Sequence, residues 1–221
     1  MGRQMVLRLW IPLGYSLFFA GLALSVVVRC SGRPFRLEDA ILSDLLSRLD
    51  NPRGCLVASI ATTLCGLVLL PVASFVQKRL NTLRRWTVLG AWLYRLGLFA
   101  VIVVGITTPF QQPYVPIHVY LTFFAFMCFV AGLAICLATA ACAVKAWQWS
   151  LRMLAGIEAA FLLFLTYALV TPDFFHDRRD WLAVCEWVLC SSVAVCTVAL
   201  VAALSKSTDL HERRGAARDS L

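Results

Sequence analysis

Apolar residues gather into six runs along the chain, at 10–28, 55–76, 87–108, 119–144, 153–170 and 181–204, separated by short polar stretches. Each run is close to the ~20 residues with which an α-helix crosses ~30 Å of hydrocarbon. In lipid only a helix or a closed barrel pairs every backbone N–H and C=O. The pattern therefore predicts an all-α, polytopic membrane bundle of six transmembrane helices. Residues 1–205 form its transmembrane domain, and 206–221 form a basic tail expected to be disordered. The first run follows Arg3 and Arg8, as a secretory signal would. Signal cores usually span ~7–15 apolar residues before a small-residue cleavage site. This run is longer and passes directly into Arg29, so it reads as a retained helix.

Two interhelical stretches carry further pattern. In the first loop, 29–54, Leu37, Ile41, Leu42, Leu45, Leu46 and Leu49 recur at helical spacing. They predict a short amphipathic surface helix, stopped by Asn51-Pro52, that lies on the membrane or caps the bundle. Ser43 and Asp44 fall on its polar side, where a solvated face is the commoner meaning. The stretch from Thr107 to Phe126 joins two apolar runs through a proline-rich loop without Lys, Arg, Asp or Glu. His118 is its one side chain that titrates near neutral pH, at the point where the fourth helix enters the bilayer.

Composition agrees with the runs: 61% of the 221 residues are hydrophobic and 14% charged, and mean hydropathy is +0.80. A soluble domain is roughly 45–50% apolar and ~25% charged. Charge sets the expected orientation. Six crossings put both termini on one side, together with twelve Lys and Arg at positions 3, 8, 78, 79, 84, 85, 145, 152, 206, 213, 214 and 218. The other side holds seven Arg (29, 33, 36, 48, 53, 178 and 179), matched by seven acids (38, 39, 44, 50, 173, 177 and 180). The positive-inside rule then makes both termini cytoplasmic. The excess positive charge on the side of the termini favours anionic cytoplasmic-leaflet lipids at the basic loops over nucleic acid as partners.

Most of the nine cysteines lie in the apolar runs at no metal-like spacing and read as small packing residues. Cys30 and Cys55 stand at the same ends of the first two helices and could bridge across the loop if that side is oxidising. Three histidines are too few for a multi-histidine metal site, and neither metal nor cofactor is expected.

Ionisable residues inside the runs are the strongest functional pointers, because an unpaired charge in hydrocarbon costs several kcal/mol. Arg95 and Glu158 lie ~12 Å and ~8 Å from the same face by helical rise. They are expected to form a structural pair, with a substrate-anion site at Arg95 as the alternative. Glu186 lies in the last run beside Cys185 and Trp187, toward the loop face that also holds His118, Asp44 and His176. A lone interfacial histidine is more often a helix-end residue than a catalytic one. An intramembrane Glu on the same side makes Asp44, His118, Glu186 and Trp187 a candidate substrate-binding group.

The order of these parts resembles the DRAM-type membrane family. That family includes the damage-regulated autophagy modulators, a Golgi factor acting in lipid remodelling of GPI anchors, and a yeast suppressor linked to phosphoinositide kinase. The likeness rests on Ser43-Asp44 and Pro52, Gly97-Leu98, Phe110-Gln111, His118 with Phe124 and Phe126, and Glu186-Trp187. It implies a non-catalytic role in lipid homeostasis, in GPI-anchor or phospholipid handling, in an endomembrane (Golgi, ER or lysosome) or the plasma membrane, with membrane lipids as partners. A membrane-embedded lipid hydrolase or acyltransferase, with His118 as general base oriented by Glu186 or Asp44, is the alternative. No Gly-x-Ser-x-Gly or His-Glu-x-x-His motif accompanies it. A small-solute transporter would need paired interrupted helices, and no internal repeat is visible.

Overall fold

The computed structural model describes residues 5–81, 87–110, 117–171 and 179–218, with side chains described except at 87, 117–119, 179 and 207–218. Each apolar run folds as one helix. In chain order these are α1 (Ile11–Arg29), the short α2 (Leu42–Leu46), α3 (Cys55–Leu80), α4 (Thr87–Thr107), α5 (Ile117–Ala143), α6 (Gln148–Val170) and α7 (Arg179–Arg218). Six are long and apolar enough to cross a membrane, and no strand occurs among the described residues. The chain is an integral membrane protein. A π-helical turn, Val6–Trp10, leads directly into α1, just before Pro12, which has no N–H to give to the preceding turn. α7 continues through 206–218, the segment for which disorder is expected.

Neighbours in sequence pack as neighbours in space: α1 on α3, α3 on α4, α4 on α5 and α5 on α6, while α7 lies against α5. The α4–α5 contact is close enough to require glycine. A Cβ on Gly132 would come within 2.6 Å of the Tyr94 backbone nitrogen and 2.9 Å of the Gly90 carbonyl oxygen. Small residues at such crossings let backbones approach where lipid removes the hydrophobic drive for association. The main core lies in the half nearer the termini, around Leu69, Leu80, Leu98, Leu133, Leu137 and Leu200, all nearly inaccessible.

Polar groups in the bundle are mostly satisfied locally or in one buried node. Thr63, Thr139, Thr166 and Ser191 donate to carbonyls four residues back, which hides their hydroxyls from lipid. Tyr15 of α1 donates to Thr197 Oγ1 of α7 at 2.9 Å, and Tyr94 of α4 meets the same oxygen at 3.2 Å. This node ties three helices at mid-bundle. By contrast α6 is peripheral: Leu163 and Val170 are 72% and 76% exposed, and α6 packs along α5 but only thinly against α7.

The first loop differs from its expected form. The stripe from Leu37 to Leu49 is split into a 3-10 turn, Leu37–Ala40, and the five-residue α2, because Ile41 between them is extended (φ −63°, ψ 121°). Ile41, Leu42, Leu45 and Leu46 are buried, whereas Leu37 and Leu49 are exposed. The loop is folded into the end of the bundle as a cap, and its apolar residues contact helices.

Candidate functional site

Three sets of contacts hold the cap. The first is Asn51, fully buried. Its Nδ2 donates to Ser25 Oγ (2.8 Å) and to the Leu45 carbonyl (3.0 Å), and its Oδ1 accepts from Gly54 N–H (3.0 Å). Ser25 Oγ in turn donates to the Gly54 carbonyl at 3.0 Å. One side chain thus joins α1, the end of α2 and the start of α3.

The second set is ionic. Asp39, 6% exposed, accepts from Arg33 Nη2 at 2.8 Å and from Arg36 N–H at 3.2 Å. Arg29 at the end of α1 lies between Asp39 and Asp44, 3.7 Å from a carboxylate oxygen of each. The Cys30 thiol donates to Asp39 Oδ2 at 3.8 Å. Burial and the nearby Asp39 carboxylate push that thiol above its ordinary range. Cys30 and Cys55, a possible bridge by sequence position, are both free thiols.

The third set comes from α7. Glu186 Oε2 accepts from Leu42 N–H at 2.5 Å, with Ser43 adjacent to the carboxylate. Next to it, Trp187 Nε1 donates to the Ala40 carbonyl at 2.8 Å. Its ring stacks on Phe19 of α1, with centroids 6.2 Å apart. Ile41 breaks the helical ladder and leaves one carbonyl before it and one N–H after it unpaired within the chain's local structure. Two consecutive residues of α7 supply the missing acceptor and donor. Glu186 is the N-cap that Ile41, at the N-cap position, cannot provide.

Beneath the cap, a cleft of about 480 Å³ lies between α5, α6 and α7. Phe123 and Phe126 form its α5 wall, Phe161, Phe164 and Leu165 its α6 wall, and Leu182 and Leu189 its α7 wall. Ser43, Tyr120, Cys185 and Glu186 gather toward the cap. Because α6 and α7 touch only thinly, the cleft opens sideways, with Tyr120 and Leu169 exposed at its rim. A second cavity, about 80 Å³ and almost wholly apolar, sits in the bundle centre and shares Thr122 and Phe126 as its wall with the cleft. Thr122 Oγ1 is buried there without a hydrogen-bond partner.

Of the expected binding group, Glu186 is the one member with a described side chain that lines the cleft. Trp187 turns toward α1 and the cap, and Asp44 pairs with Arg29. His118 opens α5, but its side chain lies outside the described residues, as does His176. The expected Arg95–Glu158 pair does not form. Arg95 Nη2 donates to Ser74 Oγ on α3 at 3.2 Å and its guanidinium lies over Trp92. Glu158, fully buried, accepts from Ser192 of α7 at 2.7 Å. α4 and α6 both pack along α5, which separates them, so two residues at similar depth face different neighbours.

Ser25, Asp39, Asn51 and Ser192 are the residues that sequence reasoning passed over. Ser25 and Ser192 gave a usable signal as hydroxyls inside apolar runs, and Asn51 was visible only as a helix stop. No known protein-family model, curated protein or solved structure matches this chain.

Proposed function

We propose that this integral membrane protein is a non-catalytic lipid-binding protein of lipid homeostasis, which lodges lipid hydrocarbon in the cleft between α5, α6 and α7. The cleft itself carries the reading: about 480 Å³, with aromatic and aliphatic walls, a few polar groups at one end and a lateral opening. Small-ligand sites have this make-up, at roughly 300–1,000 Å³ with few polar groups placed to orient the ligand. A sideways opening suits a ligand that arrives through the bilayer. The resemblance to the DRAM-type family supplies the setting, GPI-anchor or phospholipid handling in a Golgi, ER, lysosomal or plasma membrane. In this reading both termini are cytoplasmic, and their basic flanks contact anionic lipids.

A hydrolase or acyltransferase reading needs the Glu186 carboxylate free to orient a histidine. Its engagement with Leu42 weighs against that use. Native mass spectrometry of the purified protein is the test. Retention of one lipid class, lost on filling the cleft by Ala168→Phe, supports the reading. A protein that carries no lipid under conditions preserving its fold overturns it, and release of fatty acid or headgroup from added lipid would move the site to enzymes.

A further inference from the structure

The cleft and the apolar cavity at the bundle centre are separated by a single layer of side chains. On α5, Tyr120 and Phe123 line the cleft, Ala125 and Phe129 line the cavity, and Thr122 and Phe126, one helical turn apart, line both. α7 divides in the same way, with Leu189 on the cleft and its neighbour Cys190 on the cavity. Phe126 packs at the edge of two apolar clusters, one containing Cys190 and the other Leu189. Its ring is therefore the larger part of the partition.

The cavity suits hydrocarbon. Phe18, Leu69, Leu98, Val101 and Val193 are among its walls, and an empty void forfeits the packing contacts of every side chain around it. An apolar cavity of about 150 Å³ stays dry and takes up benzene. At about 80 Å³ this one has room for about three carbons in a row, which admits the end of a straight chain and no fused ring. α1, α3 and α4 contribute to its wall and to none of the cleft's described lining, so a group inside it touches residues that a group confined to the cleft does not.

We propose that the central cavity is the inner end of the cleft's chain-binding site. The Phe126 ring moves to another rotamer well, and the terminal methyl segment of one unbranched lipid chain passes between α5 and α7 into the cavity. The rest of that chain lies among Phe123, Phe161 and Phe164. This rests on the lipid-binding reading above and names the part of the lipid held innermost.

For the test, cells expressing the full-length protein are fed either of two photoactivatable long-chain fatty acids, one with its diazirine beside the terminal methyl and one with it near the carboxyl. The cells build both into their lipids, so no head group is specified. After irradiation the protein is purified and adducts are assigned to residues by mass spectrometry. Exposed Leu64 and Leu67 of α3 and Leu163 of α6 report the bilayer background. The end-labelled chain should mark buried Leu69 and Leu98 above that background, and the carboxyl-labelled chain should not. Ala125→Leu, which fills the cavity from a position outside the cleft, should abolish those marks and keep the ones on Phe161 and Phe164. Cys65→Met fills the same space from α3 and replaces Ala125→Leu where that variant does not fold. Phe126→Ala should strengthen the marks. Adducts on Phe161 and Phe164 with none on Leu69 and Leu98 above background overturn the inner site and leave a lipid cleft standing, and marks that the filling variants or Phe126→Ala leave unchanged overturn it as well. Phe161 and Phe164 marked no more than Leu163 by either chain would overturn both.

Discussion

Removing the Glu186 carboxylate should loosen the cap locally while leaving the bundle intact. Leu42, whose N–H it accepts, is 4% exposed, so the freed N–H in Glu186→Ala has little access to water. A hydrogen bond to a charged acceptor contributes ~1.5–3 kcal/mol, and a buried donor left unpaired costs ~1–3 kcal/mol. Loss of a helix N-cap costs ~0.5–2 kcal/mol. These describe one loss from three directions and do not add, so about 2 kcal/mol is the expected cost. Local opening of 41–46 then becomes about 30-fold more frequent. Glu186→Gln keeps a carbonyl oxygen for Leu42 and gives up only charge assistance, so its effect should be several-fold smaller. Trp187→Phe retains a ring against Phe19 but strands the Ala40 carbonyl, with a cost near 1 kcal/mol. Hydrogen–deuterium exchange of the detergent-solubilised protein reads all three, with amides in the middle of α4 as internal reference. Unchanged exchange at 41–46, a uniform rise over the whole bundle, or Gln as damaging as Ala would each refute the clamp.

Other expectations follow from the same contacts. Arg95→Ala and Glu158→Gln should be additive in thermal stability to within ~0.5 kcal/mol, because they share no partner; a coupling of 1 kcal/mol or more in the double-mutant cycle would restore the pair. Cys30, raised by burial and by Asp39, stays protonated at neutral pH, so its reaction with a water-soluble maleimide should be slow and should accelerate as pH rises past the ordinary thiol range. Asp39→Asn, which removes the acidic neighbour, should bring that acceleration to lower pH; a rate insensitive to pH or to this substitution would contradict the assignment. A glycosylation acceptor inserted at the exposed Leu49 should be modified in microsomes if the cap is lumenal, and modification of a C-terminal tag instead would reverse the orientation.

The six helices were legible because the bilayer constrains each segment separately, and length and apolarity suffice to find them. Their ends were less so: α3 runs to Leu80 and α6 begins at Gln148, since a helix continues into polar flanks that the apolar count leaves out. Burial in the loop was legible in its middle, where the stripe's Ile41, Leu42, Leu45 and Leu46 are buried, but not at its ends, where Leu37 and Leu49 are exposed. Its break at Ile41 was not legible, for no Pro or Gly stands there, and the extended conformation is held by contacts from α7. Depth in the membrane could be counted for Arg95 and Glu158, but depth does not fix the direction a side chain faces around its helix. Glu186 and Trp187 stood out in the sequence as a carboxylate and an indole side by side inside an apolar run. Their partners are backbone groups 144 and 147 residues away, and a sequence pattern cannot display an unpaired backbone group.

Glu186 and Trp187 also explain why the cap and the cleft form one unit. Successive residues on a helix point about 100° apart, so a pair can bracket the Ile41 break and still serve two surroundings. Trp187 carries the cap toward Phe19 and α1; Glu186 carries it toward the cleft, which its side chain also lines. A group bound at the cap end of the cleft therefore meets the same carboxylate that holds Leu42. Linkage makes this reciprocal: a head that donates to a free lone pair of Glu186 without displacing Leu42 tightens the cap, and a head that displaces Leu42 loosens it. Exchange at 41–46 measured with and without the co-purifying lipid separates the two cases by sign. No change in exchange at saturating, cross-link-verified occupancy would mean that the head sits elsewhere in the cleft, out of reach of Glu186.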